Sequence, residues 1–136
     1  MLGKIGNHYF VNDSISTDPE ATIAALKALK DKSITLLAGG QNREQDYREL
    51  CTLIDKLNIN AVITMYETGP KIADQIQSTQ TYRVKTLQEA VILAKKITPV
   101  DGYIVLSPAS PSYDAFKNFE HRGALFAEYS RLPLIN

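Results

Sequence analysis

Apolar positions fall along this chain in two rhythms. Short unbroken runs, Ser33–Ala38 (SITLLA), Ala61–Met65 (AVITM) and Tyr103–Leu106 (YIVL), are joined by a shorter one at Tyr9–Val11 and a more polar one at Thr81–Val84. Runs that do not alternate predict strands buried on both faces, as in a parallel sheet covered by helices. Between them, apolar residues recur every three or four positions. Asp46–Leu57 places Tyr47, Leu50, Cys51, Leu53, Ile54 and Leu57 on one helical face.

The helix starts carry their own signals. Asp18–Leu29 opens on Thr17-Asp18-Pro19-Glu20, where a capping residue, an early proline and an acidic first turn coincide. Gly69-Pro70 opens a third helix to about Gln77, and Thr86-Leu87-Gln88-Glu89 is a capping box for a fourth ending at Ile97. A last helix is expected from Asp114 to Leu132. The order β-α repeated five times predicts one α/β domain over residues 1–136, Rossmann-like and three-layered. Its sheet should be mostly parallel, with about five to six strands.

Composition narrows the partners. With 15 Lys and Arg against 15 Asp and Glu, the 136 residues carry no formal net charge. That argues against a nucleic-acid or membrane-surface binder. No apolar run reaches membrane-spanning length, and MLGKIGNHYF lacks the apolar region of a signal peptide. The single cysteine, Cys51, permits no internal disulfide, fits a reducing cytoplasm and reads as a core residue. His8 and His121 share no metal-ligand spacing with each other or with Cys51 and read as structural or exposed.

Ligands on such folds bind beyond the carboxyl ends of the strands. The unusual stretches fall there: NDSIST after the first strand, AGGQNREQ after the second, YETGP after the third and SPASPSYD after the last. Gly39-Gly40 lacks the third glycine of a dinucleotide fingerprint and the Gly-Lys-Ser/Thr of a phosphate loop. It is either a tight turn or a place where a ligand or neighbouring domain approaches the backbone. Arg43, just past it, suits a carboxylate or phosphate. Asp13, Ser14, Ser16 and Thr17 serve as caps and Asx turns, or meet a ribose or phosphate. Ser110 and Ser112 could cap the final helix, and Phe116 and Phe119 share a helical face. No nucleophile–base pair is legible. Part of an enzyme and a small binding or signalling module both remain open. A receiver domain fits poorly, because the third run ends in Met65-Tyr66 with Glu67 only beyond it and no lysine follows the last strand.

Three blocks carry a resemblance over nearly the whole chain. YFVNDSISTDPEATIAAL, LLAGGQNREQDY, and LQEAV followed by DGYIVLSPASPSYDAFKNFEHRGALF resemble, in order, the carboxyl-terminal domain of Mur ligases, most closely members that add glutamate. The resemblance implies an ATP-dependent amide ligase of three domains. One holds a UDP-sugar, a central one is the ATPase, and this one carries the incoming amino acid. A nucleotide-linked muramoyl-alanine carboxylate becomes an acyl phosphate, which the glutamate amine attacks. Glutamate and the other two domains are the implied partners, in a monomer. ATP and magnesium are implied mainly outside this chain, which would hold no metal or catalytic residue and would be inactive alone, as an excised domain. By resemblance Arg43, Ser112, Tyr113, Phe119 and Thr17 hold glutamate, and Asp13 faces the nucleotide. Arg43 stands where much of the family has lysine, and Ile15 where many members do. Phe119 is expected at the pocket wall and Phe116 in the core.

Overall fold

The computed structural model describes residues 2–113 and 115–132. Its elements are β1 (Gly3–Ile5), β2 (His8–Asn12), α1 (Pro19–Ala28), β3 (Ile34–Ala38), α2 (Arg48–Leu57), β4 (Ala61–Thr64), α3 (Gly69–Gln75), β5 (Thr81–Arg83), α4 (Leu87–Ile97), β6 (Tyr103–Leu106) and α5 (Phe119–Ser130). One sheet runs in the order β1-β2-β6-β3-β4-β5. Every neighbouring pair is parallel except β1 with β2. The three-layer α/β expectation therefore holds.

The unbroken apolar runs became the sheet centre because both of its faces are covered. Ile34, Leu36, Val62 and Val105 face Leu26, Leu50, Ile54 and Ile72 of α1, α2 and α3. Leu37, Ile63, Ile104 and Leu106 face Val91 and Ala94 of α4 and Phe126 of α5. Successive strand residues point to opposite faces, so each run needs apolar side chains at every position. Cys51 lies 1% exposed in the first cluster, as a core residue should. His8 is buried with Nε2 2.8 Å from the Thr98 carbonyl oxygen.

The caps read from sequence are made. Asp18 accepts from the Ala21 N–H at 2.9 Å, and Thr86 accepts from the Glu89 N–H at 3.3 Å. Two expectations need correction. The first strand is preceded by β1, joined to it through Gly6-Asn7. The last helix begins at Phe119, where the Asn118 side chain accepts from the His121 N–H at 2.8 Å. Residues 115–118 precede the helix, and Asp114, where it was expected to start, lies outside the described residues. Neither Ser110 nor Ser112 caps it.

Candidate amino-acid site at the carboxyl edge of the sheet

The four rim loops pack on one another, and glycine makes this possible. Gly39 has φ +124°, and a Cβ there would stand 2.0 Å from the Met65 carbonyl oxygen. Only glycine fits that backbone. A Cβ on Gly40 would meet the Pro111 carbonyl oxygen at 2.5 Å, so the loop after β6 lies directly on the Gly-Gly turn. The Gln41 N–H donates to that same carbonyl at 2.8 Å, and the Gly39 N–H donates to Pro108 at 2.9 Å. What stands against Gly39-Gly40 is thus backbone of the chain's own loops after β4 and β6, not the ligand or neighbouring domain that the sequence suggested. Gly123 of α5 is likewise close against Asn12, whose amide nitrogen would lie 2.7 Å from a Cβ.

Beneath the rim runs a chain of buried hydroxyls. The Gly40 N–H donates to Thr68 Oγ1 (2.9 Å), which lies 2.8 Å from Ser110 Oγ, itself 2.9 Å from Tyr47 Oη. Ser16 Oγ (2.5 Å) and Ser107 Oγ (2.6 Å) both donate to Asp13 Oδ2, tying the loops after β2 and β6 together. Thr22 Oγ1 donates to the Ser107 carbonyl at 3.2 Å. Buried polar groups that find partners in this way fix a loop arrangement rather than loosen it.

Arg122 locks the arrangement. It is fully buried and spends its N–H groups on three neutral acceptors: Nε on Ser14 Oγ (2.8 Å), Nη1 on the Ser110 carbonyl (2.8 Å) and Nη2 on the Ser14 carbonyl (2.7 Å). Ser14 Oγ in turn donates to the Phe119 carbonyl at 2.7 Å. Burial pushes the Arg122 guanidinium down to about 10, with Tyr66 acting in the opposite sense. It stays charged at neutral pH.

A cleft of about 190 Å³ opens where three loops meet. Its walls are Gly40 and Gln41 after β3, Tyr66 and Glu67 after β4, and Pro111, Ser112 and Phe116 after β6. Drug-sized sites span about 300–1,000 Å³, so this one suits a ligand no larger than a single amino acid. Tyr66 takes the left-handed conformation, φ 57°, unusual for a bulky residue. Its Oη accepts from the Leu87 N–H at the start of α4 (2.9 Å), and its ring meets Phe116 edge-on. The Glu67 carboxylate accepts from the Asn42 N–H at 2.8 Å, which leaves an acidic group on the rim.

Of the residues expected to hold glutamate, Ser112 lies in the cleft wall and is buried. Phe116 is buried in the core, as expected, and also faces the cleft. Phe119 is half-buried at the first turn of α5. Arg43, Thr17, Tyr113 and Phe119 do not line the cleft. Arg43 is exposed, and among the described residues it has no hydrogen-bond or ion-pair partner. Tyr113 is 62% exposed and Ile15 66%. Asp13 is engaged by Ser16 and Ser107, at a distance in sequence from every lining residue. Tyr66 and Glu67 were noted from sequence as part of the YETGP stretch, and Arg122 only within a resembling block; none was named as a site residue. A tyrosine past a strand end and an arginine within a helix look like ordinary surface residues until their burial is known.

Chemically, the cleft offers a hydroxyl, backbone groups, aromatic walls and a carboxylate. Burial first, and Asp55 second, push the Cys51 thiol up to about 12, so it stays protonated in the core. His121 Nδ1 accepts from the Lys117 N–H at 3.1 Å.

The family described as "Mur ligase, glutamate ligase domain" matches residues 1–110. The UDP-N-acetylmuramoyl-L-alanine–L-glutamate ligase of Salinispora tropica is 37% identical over 125 residues, covering 90% of this chain and 28% of that protein. The UDP-N-acetylmuramoylalanine–D-glutamate ligase of Aquifex aeolicus is 35% identical over 129 residues, covering 94% of this chain and 31% of that protein. The chain thus spans less than a third of the length of these relatives. A solved UDP-N-acetylmuramate–alanine ligase from Thermotoga maritima shares the fold at a TM-score of 0.52 and 18% identity, over 90% of this chain and 26% of that one. Two of the three loops that wall the cleft, those after β3 and β6, lie in blocks on which the sequence resembled Mur ligases, and the chain belongs to that family as a glutamate ligase domain.

Proposed function

We propose that this chain is the amino-acid-binding domain of a ligase that joins glutamate to UDP-N-acetylmuramoyl-alanine with ATP, for peptidoglycan precursor synthesis in the cytoplasm. The observation that carries the reading is the cleft itself. It is sized for one amino acid, walled by Ser112 and the Gly-Gly turn, and built at the carboxyl edge of the sheet. Arg43, on the loop after β3, and Ser112 meet the carboxylates of glutamate, with Thr17 on the loop after β2 near the site and Tyr113 and Phe119 flanking. Asp13 faces the nucleotide across the domain boundary.

Among the described residues neither a phosphate loop for ATP nor a cluster of ligands for magnesium is formed. The sequence contains no Gly-Lys-Ser/Thr loop, and among the described residues no three His, Cys, Asp or Glu side chains converge to hold a metal. Both are assigned to the central domain of the whole ligase. This domain's contribution is to bind and aim the glutamate amine. Placing the amine beside an acyl phosphate removes much of the entropic barrier. Closing the domain over that intermediate excludes water, which would hydrolyse it.

The test is amide formation from UDP-N-acetylmuramoyl-L-alanine, ATP and magnesium with D- or L-glutamate. The expected result is product with the full-length ligase and none with the 136-residue chain. Product from the chain alone, or no use of either glutamate by the full-length protein, would overturn the reading.

A further inference from the structure

Each of the three nitrogens of Arg122 makes a hydrogen bond, but none of these bonds balances its charge. The three acceptors, Ser14 Oγ and the Ser14 and Ser110 carbonyls, are neutral. Among the described residues no carboxylate pairs with it. Burying an ion without a counter-ion is costly, and neutral hydroxyl networks join loops without that cost. One such network already links Ser110, Thr68 and Tyr47 at this rim.

The position of the charge suggests its use. A Cβ on Gly40 would lie 3.3 Å from Arg122 Nη1, and Gly40 lines the cleft. Ser110, whose carbonyl Nη1 holds, is two residues before Ser112, which also lines it. The guanidinium therefore stands directly behind the cleft wall, in an interior where charge acts further than it does in water. The other charges near the cleft are exposed. Glu67 is on the rim, Arg43 is in solvent, and Lys71 Nζ lies 3.3 Å from Asn42 Oδ1 and 3.9 Å from Glu44. Salt screens these three much more than it screens Arg122.

We propose that Arg122 is a positioning residue that sets the anion preference of the cleft. It ties the loops after β2 and β6 to α5, and its unneutralised charge favours an amino acid with a side-chain carboxylate over its neutral isostere. The proposal rests on the reading of the cleft as the amino-acid subsite.

The experiment compares glutamate with glutamine as acceptor in the full-length ligase, for the unaltered protein, Arg122→Met and Arg122→Lys. The unaltered arm tests the functional reading by itself: if glutamate is not used, that reading fails before Arg122 is at issue. If it is used, Arg122→Met should lower the glutamate-to-glutamine ratio of kcat/KM by about tenfold, the order expected for losing a through-space attraction between charges in a partly buried site. The KM for ATP should be unchanged. Arg122→Lys keeps the charge and loses the fork, so it should weaken both acceptors while preserving most of the ratio. The preference of the unaltered enzyme should also persist at high salt. An Arg122→Met enzyme that folds and keeps the full ratio overturns the proposal. If Arg122→Met does not fold, Arg122→Lys decides: a preserved ratio supports the role of the charge, and a lost ratio overturns it.

Discussion

Gly40→Ala isolates what the packing of the rim loops does. The backbone at Gly40 is outside the left-handed region, so alanine carries no conformational strain there. The whole effect is spatial. The new methyl would stand 2.5 Å from the Pro111 carbonyl oxygen and 3.0 Å from Ser110 Cβ, where ordinary contact begins at 3.4 Å. The loop carrying Ser112 must therefore retreat by about 0.9 Å. Overpacking of this kind costs about 1–3 kcal/mol. For a domain of this size that corresponds to a Tm lower by roughly 3–15 °C. A displacement near 1 Å in a positioning loop costs about a hundredfold in rate. The assay is thermal melting of the chain, together with glutamate kinetics in the full-length ligase. Gly102→Ala is the control: its methyl would meet Thr98 Cγ2 at 2.6 Å and the Pro99 carbonyl at 2.8 Å, at the opposite end of β6. Both variants should lose stability, and only Gly40→Ala should lose glutamate kcat/KM beyond that loss. Equal glutamate kinetics in the two would refute the idea that the Gly-Gly contact sets the cleft.

Arg43→Ala should raise the KM for glutamate about ten- to a hundredfold, with the Tm and the KM for ATP unmoved, as suits an exposed arginine; a lowered Tm would give it a structural role instead. Phe116→Ala should destabilise by about 3–5 kcal/mol in chemical denaturation because Phe116 is buried, whereas the half-buried Phe119→Ala should cost clearly less; the reverse order would contradict the packing described. Burial pushes the Asp55 carboxyl up, but the N–H groups of Gln77, Ser78 and Thr79 outweigh it and hold it down at about 2. A depressed carboxyl contributes stability above its unfolded pKa, and that contribution is lost as pH falls through the folded one. Melting from pH 5 down to pH 2 should therefore show a shallower acid loss in Asp55→Asn than in the unaltered chain.

The sequence showed most of the architecture because a doubly covered parallel sheet writes itself as unbroken apolar runs. SITLLA, AVITM and YIVL can belong to little else. It was less clear at the edges. β1 is three residues long, and its signal is only the Gly6-Asn7 pair, a recognised two-residue hairpin turn. The start of α5 was placed too early because Phe116 continues the helical apolar spacing. Phe116 instead packs into the core from the segment before the helix, and Asn118 sets the true start. In the candidate site the Gly39-Gly40 turn was legible in its own loop, whereas Ser112 read locally as a helix cap and came to the cleft only through the family resemblance. Tyr66 and Arg122 depend on contacts between distant segments, and residue spacing carries no trace of those.

The sheet order has a consequence for how the chain reaches this shape. β6, the last strand among the described residues to be synthesised, sits between β2 and β3. Its partners on one side, Tyr9 to Asn12, were made about ninety residues earlier. Until β6 emerges, β2 and β3 have unpaired inner edges, and the Gly-Gly turn has no loop to rest on. Long-range pairing of this kind makes folding slow. Exposed edges meanwhile invite association between nascent chains. The final strand thus acts as a keystone: a ribosome that stalls before Tyr103 releases not a smaller version of the domain but two half-sheets with nothing to join them.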